Sequence, residues 1–199
     1  MFEFLKERIS IICALAIGTA GGWSMTTLIT APELKPRLVT ISFAVALVVS
    51  ILVSVFFRKK LRTVPGYLSK SLRQLTWLLM GFVLSVCLFF IVYDRLTIDI
   101  PSFESMQKTD TLVVVKGLYH TDRANAYANR QMKKNHQYPT DDLLLNDFGY
   151  DLSMVWANDS RSYARLLLLI LYTLVIALLV AAVSFGAEII LRYQSEPPP

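Results

Sequence analysis

Four long stretches free of Asp, Glu, Lys, Arg and His constrain this chain more than any other feature. They are residues 9–30, 38–57, 75–93 and 166–187. A helix rises 1.5 Å per residue, so about 20 apolar residues cross a hydrocarbon layer of roughly 30 Å. Each stretch meets that length. Lipid offers no water to a free backbone group, so each is expected to be a helix rather than a strand. Buried helices of a soluble protein would be shorter and would keep a polar face. The first stretch follows Lys6 and Arg8, as a secretory signal would. It exceeds a signal's apolar core of about 7 to 15 residues, and a second apolar stretch follows at once, so it reads as a retained span.

Charge then orients the spans. The formal net charge of +5 is unevenly spread. In "FFRKKLRTVPGYLSKSLRQLTW", residues 56–77, Arg58, Lys59, Lys60, Arg62, Lys70 and Arg73 occur without one acidic residue. Lys and Arg next to span ends mark the cytoplasmic side. The basic loop 58–74 therefore faces the cytoplasm, both termini lie there too, and residues 31–37 and 94–165 face out. The expected fold class is a membrane all-α protein with four transmembrane helices and a small α+β extracytoplasmic domain between helices three and four. The organisation that follows is 1–93 for the first three helices with their basic loop, 94–165 for the outer domain, 166–193 for the last helix, and 194–199, ending in three prolines, for a flexible cytoplasmic tail.

The basic loop can serve as more than a topology signal. Leu61, Leu68, Leu72 and Leu75 recur near helical spacing around Pro65 and Gly66, with Tyr67 among them. A short helix of that pattern would set Lys70 and Arg73 against anionic lipids. Alternatively, Arg58, Lys59, Lys60, Arg62, Tyr67, Lys70 and Arg73 form a charged docking surface for a cytoplasmic protein.

Small residues suggest how the spans pack. Ala14, Gly18 and Gly22 stand four apart on one face of the first span, Gly81 lies in the third, and Ala182 and Gly186 repeat the spacing in the fourth. Such faces let helix backbones approach closely in lipid. Several of them in one chain make a homo-oligomer a reasonable expectation. No span carries a mid-depth charge, which ion-coupled carriers and voltage sensors need. Glu188 stands near the inner end of the last span, four residues before Arg192, and reads as an interfacial ion pair.

The segment 94–165 has clear punctuation. "TLVVVKG" reads as a strand closed by Gly117. Thr121 caps a helix with Asp122 in its first turn and Lys133, Lys134 and His136 at its end. Thr140 caps a second helix, Asp141 and Asp142 follow, and Gly149 stops it. Asn158 or Ser160 is expected to cap the last span. Trp156, Tyr163 and Tyr93 fit an outer aromatic belt, and Trp77 and Tyr193 an inner one. The two cysteines, Cys13 and Cys87, lie within spans and suggest neither a disulfide nor a metal site.

Catalytic chemistry finds little support. His120 with Asp122, and His136, are the acid-base candidates, and their spacing makes a poor metal motif. No nucleophile motif and no phosphate-cradling glycine loop occurs. A non-enzymatic protein without cofactor or metal is expected, with no direct nucleic-acid binding.

"DDLLLNDFGYDLSMVWANDSRSYARLLLLILY" joins an acidic short helix, Phe-Gly, Val-Trp and a polar cap to a long last span. It resembles the segment before the final span in small polytopic proteins of bacterial anti-phage systems. With four spans, a basic inner loop and an outer domain, the plan is similar to that of the membrane subunit of the Kiwa defence system. The resemblance implies a bacterial inner-membrane protein that senses disturbance at the envelope and holds a cytoplasmic effector partner. It assigns no functional residue. Composition and spacing leave a second function open, a homo-oligomeric pore or membrane-disrupting effector, because the spans are uncharged and rich in small residues.

Overall fold

The computed structural model describes residues 16, 20, 34–63, 67–101 and 111–193. The first apolar stretch, with Ala14, Gly18 and Gly22, lies outside the described residues apart from Ala16 and Ala20. The elements run α1 (Lys35–Thr63), α2 (Tyr67–Leu96), β1 (Thr97–Pro101), β2 (Thr111–Val115), α3 (Asp122–Asn135), α4 (Asp141–Asp147), α5 (Leu152–Val155) and α6 (Asn158–Tyr193). Two helical stretches, Lys70–Leu96 and Asn158–Ile190, are long and apolar enough to cross a membrane, and α1 adds the shorter apolar stretch Arg37–Val53. The chain divides into two compact units: Met1–Ile29, Lys35–Phe89 and Leu171–Pro199 in one, Thr30–Leu34 and Phe90–Ile170 in the other.

In the first unit, α1 is patterned opposite to a helix of a water-soluble protein. Leu38, Ser42, Ala46, Ser50 and Val53 are buried, at helical spacing, while Phe43, Leu47, Val48, Ile51, Leu52, Val55 and Phe56 stand exposed. Water would penalise such a face of contiguous large side chains; lipid does not. The apolar window of α2 is 6% buried and that of α6 33%. A soluble core helix would be mostly buried on every side.

Tyr172 of α6 joins the three helices. Its ring packs against Phe89 of α2 with centroids 6.1 Å apart, tilted by 59°. Its hydroxyl lies 2.5 Å from Ser42 Oγ of α1. Ser42 Oγ donates its one proton to Leu38 O at 2.7 Å, so Tyr172 is the donor of the pair. Further along, Val53, Phe185 and Ile189 form a cluster with Val49, Leu75, Leu78 and Ala181 around them. Glu188, expected to pair with Arg192, is buried in this part of α6, and the Arg192 side chain lies outside those described.

The second unit is a small α+β domain. β1 and β2 pair antiparallel from Thr97↔Val115 to Pro101↔Thr111. The β1 sequence TIDIP alternates so that Ile98 and Ile100 share one face, and both pack on the core of Ala128, Leu144, Leu145, Val155 and Trp156. The capping expectations hold. Thr121 accepts the Ala124 amide and Thr140 the Leu143 amide. Asp151 caps α5 by accepting Ser153 N–H at 2.9 Å. Past the α4 cap at Phe148, Gly149 adopts φ 63°, a conformation that suits glycine. Tyr150 follows at φ 62° and returns its amide to Leu145 O at 2.7 Å, closing the helix end.

Two expectations are corrected here. Trp156 is no belt residue: it is 1% exposed and sits in the domain core. An indole at headgroup level would need an open edge, and this one is enclosed by the strands and short helices. Ser160, expected with Asn158 as an alternative cap, lies inside the helix and is instead a long-range acceptor: its Oγ takes the Tyr119 amide at 2.7 Å. Tyr163 and Trp77, by contrast, are well exposed on α6 and α2.

Candidate functional site

The basic segment expected as an inter-span loop over 58–74 is mostly helical. Its first part continues α1 to Thr63 and its second opens α2 at Tyr67, so the basic residues occupy two helix ends joined by residues 64–66. The side chains of Arg58, Lys59, Lys60, Arg62 and Tyr67 lie outside those described. Lys70 and Arg73 are exposed on either side of buried Ser71. Leu75, half-buried, packs into the cluster around Phe185, which fixes the helix face and leaves Lys70 and Arg73 toward solvent. A helix that continues into an apolar run replaces a separate in-plane helix, because unbroken backbone hydrogen bonding is favoured once the run is in place.

Of the glycines expected to pack helices, Gly81 and Gly186 lie among the described residues. A methyl added at Gly81 would meet Leu178 at 4.0 Å, and one added at Gly186 would meet Leu75 at 3.9 Å. Among the described residues, both are ordinary contacts with a leucine side chain. Ala182 is buried. The small face that is buried along a helix is Ser42, Ala46 and Ser50 of α1, a series visible in the sequence at the same four-residue spacing.

In the second unit the polar side chains converge on Asp141, the first residue of α4. Lys116 Nζ lies 2.8 Å from Oδ2 and His120 Nε2 lies 3.0 Å from Oδ1. An ionised carboxylate only accepts, so His120 Nε2 carries a proton. The His120 ring stacks on Trp156, with centroids 5.9 Å apart and planes at 29°. His120 also forms an isolated bridge with Trp156. Thr121 is held on both sides, its amide to Val155 O at 2.9 Å and its hydroxyl to Met154 O at 2.6 Å. His120 was a sequence candidate for chemistry with Asp122; its partner is Asp141, 21 positions away. His136 ends α3 as a left-handed C-cap at φ 57° and joins no such cluster.

Burial pushes the Asp141 carboxyl up, but the Lys116 ammonium and the His120 ring outweigh it and hold the group below the ordinary carboxylate range. A depressed pKa adds stability that is present above the unfolded value of about 3.9 and is lost as pH falls through the folded value. Asp141→Asn is expected to cost about 1 kcal/mol at neutral pH, since the pair is partly solvated. The cost should fall away as pH drops through the depressed folded value, where the wild-type carboxyl is protonated as well. Melting of the purified chain across pH checks this; an Asn variant as stable as wild type at pH 7 refutes the clasp.

Both Asp141 oxygens are engaged, one by the Lys116 ammonium and the other by the His120 ring. Chemically the cluster is a clasp that ties the segment after β2 to the start of α4. Among the described residues, no three His, Cys, Asp or Glu side chains gather as metal ligands. No protein family, characterised protein or solved structure matches this chain.

Proposed function

We propose that this chain is a non-enzymatic sensor and anchor subunit of a bacterial inner membrane. It crosses the bilayer four times with both termini in the cytoplasm. The domain between α2 and α6 faces the envelope, and the basic ends of α1 and α2 face a cytoplasmic effector protein and anionic lipid. The observation that carries this reading is the distribution of charge along α1 and α2. Six cations without an acid occupy the junction of two helices whose other described surfaces expose Phe43, Ile51, Val83 and Leu84. Lys and Arg in that position belong on the cytoplasmic side. The clasped domain at the other end of α2 supplies a folded element for an envelope event to act on. The resemblance to the Kiwa membrane subunit supports the same division and suggests anti-phage defence.

A pull-down from native membranes in mild detergent tests the reading. A stoichiometric cytoplasmic protein should accompany the wild-type chain. Replacing Arg58, Lys59, Lys60 and Arg62 by Gln should release it while the membrane topology, read by cysteine accessibility, stays intact. Capture that survives the fourfold change would refute the anchor surface. A homo-oligomer that arrives alone and conducts ions in planar bilayers would replace this reading by the pore.

A further inference from the structure

The segment between β2 and α3 is fixed at three successive points and yet leaves its two largest side chains outside. At Gly117 there is no room for a side chain: an added Cβ would stand 2.6 Å from Ser160 Oγ and 2.8 Å from Trp156 Cβ. The Tyr119 amide is bonded to Ser160 Oγ at 2.7 Å. His120 is held by Asp141 and by the Trp156 ring. Between these points Leu118 and Tyr119 are each 51% exposed. Outside the apolar runs they are the one pair of sequence neighbours among the described residues of this domain that are both large, hydrophobic and exposed. A bend whose backbone is so restrained presents these side chains; it does not leave them free to fold back.

Their position says to what. Ser160 lies six residues before Leu166, where the apolar run of α6 begins, a rise of about 9 Å. The headgroup layer on each side of the hydrocarbon is roughly 5–8 Å deep, so the turn at Ser160 stands at its outer edge and Tyr163, three residues nearer the run, within it. Tyr163, one turn along α6 from Ser160, is 58% exposed and heads the exposed stripe of Leu166, Leu167 and Ile170. A ring with an apolar body and a polar tip at the top of such a stripe fits the water–lipid boundary. The bend is tied to the turn just above it.

We propose that the Leu118–Tyr119 bend, together with Tyr163, is an interfacial anchor that seats in the headgroup layer of the membrane crossed by α6. It takes the place that the sequence suggested for Trp156, which the core occupies instead. The anchor rests on the reading of α2 and α6 as membrane spans. It couples the lipid surface to the clasp, since the residues that fix the bend are those that hold Asp141 and Trp156. Disturbance of the outer headgroups then has a direct route into the domain's core.

The test uses the full chain with Cys13 and Cys87 replaced by Ser, reconstituted in vesicles of phosphatidylethanolamine and phosphatidylglycerol. An environment-sensitive dye is placed in turn at Leu118→Cys, at Lys133→Cys on the exposed face of α3, and at Val83→Cys on the exposed face of α2. Quenchers are iodide on both sides of the bilayer and lipids spin-labelled at the headgroup or deep in the acyl chain. Position 118 should show blue-shifted emission, strong quenching by the headgroup label, and several-fold weaker iodide quenching than position 133. Position 83 should respond to the deep label. If 83 does and 118 behaves like 133, the anchor is refuted and the spanning reading stands. Absence of lipid quenching at 83 overturns both. A dye at 118 shielded from iodide and from both lipid labels would mean that protein covers the bend, which also refutes the lipid anchor.

Discussion

Gly117→Ala is expected to cost about 2–4 kcal/mol, the sum of overpacking a tight site and losing one hydrogen bond. The added Cβ would meet Ser160 Oγ at 2.6 Å, Trp156 Cβ at 2.8 Å and Trp156 Cδ1 at 3.0 Å. The Ser160 hydroxyl can rotate away only by releasing the Tyr119 amide. The Trp156 Cβ can move only with its backbone, whose amide is bonded to Leu152 O at 2.9 Å. Neither escape is free. A double-mutant cycle with Ser160→Ala separates the contributions: in that background the hydrogen bond is already absent, so Gly117→Ala should cost less than it does alone. Equal costs in both backgrounds would show that Ser160 and Gly117 do not share the site. Retained helicity with a loosened domain is the expected appearance, because the hydrogen bonds of α2 and α6 are made within each helix.

Trp156→Ala should be still more damaging, at about 3–5 kcal/mol for a buried large aromatic. The ring fills the centre of a core whose other buried members are Ala128, Leu144, Leu145 and Val155, and it backs the His120 ring. A domain this small has little reserve against such a loss. Limited trypsin digestion of the full chain in detergent reads the result, because Lys133 and Lys134 lie in the last turn of α3. Cleavage there should accelerate strongly in the variant. Tyr163→Ala, which removes an exposed ring, should leave digestion of the domain as it was. Were Trp156 a headgroup-level aromatic, the two variants would digest alike, and that result would contradict its place in the core.

Several elements were legible because their signals are local. The length and uniform apolarity of 75–93 and 166–187 specify helices whatever surrounds them. Thr121 and Thr140 each precede an acidic first turn, and each caps a helix at the position expected. The strand at Thr111–Val115 followed from its β-branched run. Its partner TIDIP was missed, although the alternation of Ile98 and Ile100 was there to be read; five residues directly after a long apolar run look like the run's polar edge. The basic residues of the segment 58–74 lie on two helix ends. Pro65 and Gly66 suggested a wider break, whereas the helices run to Thr63 and resume at Tyr67.

The sequence by itself determined that 75–93 and 166–187 are helical, where the helices capped by Thr121 and Thr140 begin, and that positive charge gathers at one helix junction. Those properties depend on side chains no more than about four residues apart, or on the bulk polarity of a run. Only the tertiary structure decided that Asp141 would meet Lys116, 25 positions away, that the Tyr172 hydroxyl would hydrogen-bond Ser42 across 130 positions, and that Gly117 would lie against Ser160 and Trp156. A Trp before a span and a Ser at a helix start each suit a local role. Trp156 entered the core and Ser160 took the Tyr119 amide because a small domain must enclose its largest ring and satisfy its restrained backbone, and the groups that do so come from distant parts of the chain.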